Sequence, residues 1–400
     1  MVTALLLIII YLSFISLGLP DTIIGVTIPA LQKDFGIPLA AGGFLSMIVI
    51  CGTVFSSFLS DNIIRKFGTG KVVLVSCLLT GFALLGFSQS PSFYWLLILA
   101  FPLGFGGGTV DVALNNYVAH HFKAHHMNWL HSCWGVGATL GPVIMSMRLN
   151  RSSWQAGFSS IAAIQLSFAL LLLLSLSLWE KHKASEQTEQ NDTVYVRKRI
   201  FSIKGIPLSL ATMLLYCAAE IGVGLWGSSY LISEKSFTED SAARLIALYY
   251  AGITTGRIAS GVVSFKLNNS QLIRFGVLLA SLGVILLFLP LHSSFAGAGI
   301  IITGLGLAPI FPAMIHETPV RFGKKLSQKI IGYQMGFAYI GSGFVPPLLG
   351  IIYQEAGLSF YPITLLLITS SLFLVTERLN VIIDKKNANL KLNIALDNEN

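Results

Sequence analysis

The sequence predicts an all-α polytopic membrane protein, with twelve transmembrane helices arranged as two pseudo-symmetric bundles of six. Three observations predict it. The 400 residues are 54% hydrophobic and 11% charged, where a soluble globular chain carries about a quarter charged residues. Mean hydropathy is +0.73, so there is too little polar side chain to cover a water-soluble body of this size. Long apolar runs, each near the roughly 20 residues that cross a bilayer, recur from end to end, and one long polar stretch interrupts them at mid-chain. A soluble enzyme, a nucleic-acid binder and a disordered scaffold are all disfavoured by the same numbers.

In order, the runs read as spans over 3–29, 39–60, 72–90, 93–118, 128–147 and 157–179, then 205–232, 242–264, 272–290, 295–316, 328–352 and 358–377. The first lacks a basic n-region and exceeds the 7–15 apolar residues of a signal peptide, so it is expected to remain as a helix. The polar stretch from Glu180 to Lys204 has no apolar period and reads as a cytoplasmic linker. The predicted organisation is therefore a six-helix bundle over 1–179, the linker over 180–204, a second bundle over 205–378 and a polar tail over 379–400.

The net charge of +8 reads as orientation rather than as a site for an acidic partner. One set of loops holds Arg65, Lys66, Lys71, Lys123, Lys266, Arg321, Lys324, Lys325 and the linker bases, and the tail adds Lys385, Lys386 and Lys391. The opposite loops hold Lys33, Arg148, Arg151, Lys235 and Arg244. The positive-inside rule puts both termini in the cytoplasm of a multi-pass plasma-membrane protein. Cys51, Cys77, Cys133 and Cys217 sit in apolar runs without paired spacing, so they read as packing residues rather than a disulfide framework or zinc site.

Sliding one half over the other exposes a repeat. At an offset of 200, Gly52, Ser60, Lys66, Gly104, Gly106 and Phe122 meet identical residues; at 204, Gly137 and Pro142 meet Gly341 and Pro346. At 199, Asp21-x3-Gly25 meets Glu220-x3-Gly224. Two such halves usually enclose a midplane cavity and rock around it.

This layout resembles the major facilitator superfamily. The loop SDNIIRKFGTGK is similar to that family's signature, with Asp61, Arg65, Gly68 and Lys71 at the matching positions, which implies a conformational latch; an ordinary basic loop is the alternative. The run Asp111-Val-Ala113-Leu-Asn115-Asn-Tyr117-Val118, Asp21 in GLPDTIIG and the stretch MNWLHSCWGVGATLGP resemble the fucose permease branch. His131 and Trp134 stand where the fucose permease has amides. The resemblance implies alternating access and proton-coupled sugar symport.

A carboxylate at bilayer depth costs about 2.5–3.5 kcal/mol on insertion scales and usually marks a substrate or ion path. Three acids qualify: Asp21, Asp111 and Glu220. Pro20, just before Asp21, lacks an N–H and favours a local helix break. Gly18 and Gly25 share the face of Asp21 and leave room for a ligand or a close helix. Asp111 shares a face with Gly104, Gly107, Gly108 and Asn115. The two aspartates are expected on the order of 10–15 Å apart in depth, so one is expected to carry the proton while the other binds substrate hydroxyls. Glu220 is either a substrate contact or the structural partner of Arg257, which is itself expected near the cytoplasmic end of its span, tying helices together. His131 is a proton-relay candidate or a hydrogen-bonded residue at a helix start. Trp134, Trp226 and Tyr339 suit the apolar face of a sugar, or else packing. Asn115, Asn116 and Gln334 suit hydroxyls.

His316 reads as gating or capping. The HHFKAHH stretch in a short loop has no supporting carboxylate or thiol, so no metal is expected. No phosphate-binding loop and no nucleophile–base pair appear, so neither a cofactor nor catalysis is expected. The expected function is proton-coupled uptake of a small hydroxylated solute such as a monosaccharide by a monomer in lipid, without a nucleic-acid partner. The competing readings are an efflux antiporter for amphipathic compounds and a non-transporting membrane sensor of the same fold.

Overall fold

A computed structural model describes residues 2–122, 124–180, 200–264, 266–289 and 292–398. Among them the chain is helical, with short turns and no strand. In lipid an isolated segment satisfies its backbone N–H and C=O groups by closing on itself, and the helix does that.

The first span is α1 (Val2–Asp21) followed by α2 (Ile23–Phe35). It continues past the expected end at 29 because the helix restarts after a break at Thr22 and runs to Gly36, whose φ of 63° caps it. Four single helices follow: α3 (Leu39–Phe67), α4 (Thr69–Ser88), α5 (Phe93–His121) and α6 (Ala124–Arg151). The sixth span is α7 (Trp154–Leu174) with α8 (Leu176–Glu180). The second half comprises α9 (Ile206–Lys235), α10 (Glu239–Val263), α11 (Asn269–Phe288), α12 (Ser293–Leu307) with α13 (Ile310–Phe322), α14 (Lys324–Ala356) and α15 (Tyr361–Asn398). The expected polar tail therefore continues the last helix, since no Gly or Pro follows Pro362 to stop it. Most of the linker, 181–199, lies outside the described residues.

Ten of these twelve spans are long and apolar enough to cross a membrane. The other two, α6 and α10, pack on each other between the halves. The polar residues His131, Ser132, Asp240 and Arg257 lower the apolarity of these two helices.

In the first half α3 packs on α5, α4 on α5 and α7, and α1 on α6. Its own core gathers Ile10, Phe14, Val73, Leu114 and Leu172. In the second half α9 packs on α14 and α15, and α11 on α12 and α15. The halves meet through α6 and α10, α3 and α14, and α2 and α9.

Glycine sets the tightest crossings. A Cβ on Gly18 would overlap the backbone of Trp134 and Ala138, and one on Gly137 the backbone of Ile15, so α1 and α6 touch main chain to main chain. A Cβ on Gly25 would overlap Gly224 and Leu225. Gly25 and Gly224 match at the repeat offset of 199, so this contact brings matched sequence positions of the two halves together.

At the same end Ala40 N–H donates to Gln354 Oε1 at 3.2 Å, and Ser146 Oγ–H donates to Asp240 Oδ1 at 2.8 Å. These two bonds tie the halves together at this end.

Candidate functional site

The site is built on the α1–α2 break. Pro20 supplies no N–H to the preceding turn, α1 stops at Asp21, and Thr22 leaves the helix at φ −113° and ψ −3°. Thr22 Oγ1–H donates to the Ala138 carbonyl at 2.8 Å, which pins the break against α6. The glycine crossing of α1 and α6 then sets the Trp134 indole beside the acid. Trp134 Nε1–H donates to Asp21 Oδ2 at 2.8 Å. Gly18 and Gly25, on the same face as Asp21, are filled by neighbouring backbone, so they serve close helices rather than a ligand.

The face of the same indole carries a cation. Arg257 Cζ lies 5.8 Å from the Trp134 ring centroid, a contact worth about 0.5–2 kcal/mol depending on desolvation. Arg257 also donates to Glu220 Oε1 at 3.2 Å and to the Tyr216 hydroxyl at 3.3 Å. This ion pair is largely buried, with side chains 18% and 10% exposed. Tyr249 O–H donates to the Glu220 carbonyl at 3.0 Å and steadies that turn. Of the two roles open to Glu220 from sequence, the structure places it in the pair with Arg257.

Asp111 sits on α5 with Asn115 one turn on. Asn115 Nδ2–H donates to Asp111 Oδ1 at 2.9 Å and to the Asp111 carbonyl at 3.0 Å. Gly104 and Gly108, on its face, let α5 press on the backbone of Val49 and Thr53 in α3. Among the described residues neither Asp21 nor Asp111 makes an ion pair. Asp21 is exposed and Asp111 is half-buried. Tyr339 on α14 is half-buried.

Other sequence candidates lie apart. His131 is exposed, with its ring edge-on to Phe14 at 5.7 Å. Trp226 is fully buried: its Nε1–H donates to the Pro346 carbonyl at 2.8 Å and its ring packs on Tyr353. Gln334 is fully buried too, donating to Ser209 Oγ at 2.7 Å and accepting from Thr318 Oγ1 at 3.1 Å. Both tie helices of the second half together. Gly68 joins α3 to α4 at φ 82°, and Lys71 is exposed. The side chains of Asp61, Arg65 and Asn116 lie outside the described residues, as do three histidines of HHFKAHH. The fourth, His126, bonds the Tyr11 hydroxyl through Nδ1 at 2.7 Å, and no metal-holding group occurs among the described residues.

Sequence reasoning missed two features. Arg257 was expected to tie helices together, and it does so through Glu220, but its contact with the face of Trp134 was unread; its mate at offset 200 is Ser57, so the repeat held no signal for a cation there. A polar cluster in the second half was also unread. Arg274 grips Glu377 through two bonds of 2.8 and 2.5 Å. Arg321 joins Glu317, Ser270 and Asn380, and Asn269 bonds His316 and Glu317. Only the i,i+4 spacing of Glu317 and Arg321 could have suggested it.

Two packed halves of apolar spanning helices, carrying two acids that make no ion pair among the described residues, fit a membrane transporter. The Major Facilitator Superfamily profile matches residues 10–346, and the chain belongs to that family. It is 23% identical to the Bypass of stop codon protein 6 of Saccharomyces cerevisiae, over 88% of this chain and 77% of that one. To the glucose/mannose transporter GlcP of Bacillus subtilis it is 21% identical, over 85% and 86%. Its fold matches a crystal structure of the nucleoside transporter NupG with a TM-score of 0.75 at 13% identity, covering 93% of this chain and 98% of that one.

Proposed function

We propose that the protein takes up a small uncharged hydroxylated solute of the monosaccharide class, coupled to protons, by alternating access. The observation that carries this reading is the pair of membrane-depth carboxylates, Asp21 and Asp111, that have no counter-ion among the described residues. Arg257 is committed to Glu220, so the cavity keeps an excess of negative charge and disfavours an anionic solute. A polyol suits it: hydroxyls donate to carboxylate oxygens and accept from Asn115. The relative named a glucose/mannose transporter supports the same class.

Asp21, open to water and held by one neutral donor, is the proton site. Asp111 with Asn115 binds hydroxyls, and Tyr339 offers a ring and a hydroxyl from the other half. Carrying one charge down the membrane potential supplies about 2.3 kcal/mol per 100 mV, added to the proton gradient.

The bundles over 1–179 and 205–378 are the two moving bodies, joined by the linker, with the Gly68–Lys71 turn as a latch. The positive-inside distribution supports cytoplasmic termini in the plasma membrane. With that orientation the end where Ala40 bonds Gln354 and Ser146 bonds Asp240 faces outward.

The test is flux in proteoliposomes with labelled glucose, mannose and fucose, with and without an imposed pH gradient. Uphill accumulation of one sugar only under the gradient is expected. No sugar flux, together with extrusion of amphipathic dyes, would replace uptake by efflux.

A further inference from the structure

Trp134 touches both signs of charge in the cavity. Its indole edge donates to Asp21 and its face carries Arg257. The contact joins the halves, since Trp134 belongs to α6 and Arg257 to α10. Arg257 holds Glu220 and Tyr216 through bonds of 3.2 and 3.3 Å, at or beyond the long end of the usual range. Its buried Nε–H has no acceptor among the described residues. A guanidinium has five donors in a rigid fork, so this one retains capacity for a second carboxylate. The other titratable groups that interact with Asp21 are Asp111 on α5, Tyr250 on α10 and Tyr339 on α14. The α7 segment carries none.

We propose that Trp134 is a positioning residue that keeps Asp21 and Arg257 from pairing, by holding the carboxylate on its edge and the guanidinium on its face. Asp21 thereby keeps an exchangeable proton in a cavity that also contains a permanent cation. Direct pairing would fix it as a carboxylate, because an adjacent guanidinium favours the charged form. The inference rests on the reading of Asp21 as the proton site.

The test compares three variants of the full chain. Trp134→Phe keeps a face for Arg257 but loses the N–H. Trp134→Leu loses both. Trp134→Leu with Arg257→Gln also removes the cation. One readout needs no solute: the infrared carboxylic-acid band of Asp21, identified by its absence in Asp21→Asn. At one neutral pH the band should be about tenfold or more weaker in Trp134→Leu than in Trp134→Phe, and should return in the double variant. The second readout is the ratio of gradient-driven glucose accumulation to glucose counterflow, which should follow the same order. Equal bands in Trp134→Phe and Trp134→Leu, or no return in the double variant, would overturn the proposal. If the bands follow the expected order while the unaltered protein moves no sugar, the role of Trp134 stands and the solute reading fails.

Discussion

Four residues before the glycines that meet between the halves, each half carries an acid, and the two acids live differently. In the first half Asp21 ends a broken helix, is exposed and is held by a neutral indole N–H. In the second half Glu220 sits within the unbroken α9, buried, and is paired with Arg257. The repeat preserves the place of the acid. Its helix and its partner decide whether the charge is exchangeable or fixed.

The sharpest way to break this comparison is to neutralise each acid in turn. Asp21→Asn is expected to lower gradient-driven accumulation by about 100-fold while sugar exchange stays detectable, since roughly 2.7 kcal/mol of coupling disappears; undiminished accumulation would move the proton site elsewhere. Glu220→Gln should act on stability instead. Leaving Arg257 buried without its partner costs about 3 kcal/mol, visible as a lower thermal midpoint in detergent. Glu220→Gln with Arg257→Gln should recover part of that loss, and a midpoint as low as in the single variant would argue that the pair is not the source.

A smaller contrast concerns the glycines themselves. A Cβ on Gly25 meets backbone, whereas one on Gly224 meets the hydroxyl end of Tyr250, a side chain that can turn. Gly25→Ala is therefore expected to destabilise the contact between the halves by about 1–3 kcal/mol and Gly224→Ala by less. Thiol labelling of cysteines introduced beside Ala40 and Ser146 would report the opening, and equal labelling in the two variants would contradict the difference. The smallest effect is expected from Trp226→Phe, which removes one buried hydrogen bond worth about 1 kcal/mol and should leave the choice of sugar untouched.

Much of the fold was legible because helices in lipid announce themselves by length and apolarity, and the duplicated glycines fixed the two halves. The three acids were legible for the complementary reason that charge in an apolar run is costly. Pro20 marked its break correctly. Orientation of side chains around a helix was harder to read. A lipid-facing surface is as apolar as a core: Ile98 and Leu174 are exposed while Ile10 and Leu172 are buried. Periodicity therefore cannot separate the face toward the cavity from the face toward a neighbouring helix. That is why Trp226 and Gln334 read as solute contacts, although they join helices, and why the contact of Arg257 with Trp134 of α6 left no local trace. The span limits of α2 and α15 depended on where the helix meets a stop, and hydropathy does not report that.

The contact of Gly25 with Gly224 has one more consequence. Were the two halves separate copies of one six-helix chain, this position would face itself across the dimer axis, as in any isologous interface. A single methyl group added to that chain would then appear twice in the same small space. Fused into one polypeptide, the two positions answer to different neighbours, main chain for one and a tyrosine hydroxyl for the other. Covalent linkage thus allows a symmetric crossing to tighten on one side and loosen on the other, which two identical subunits cannot do.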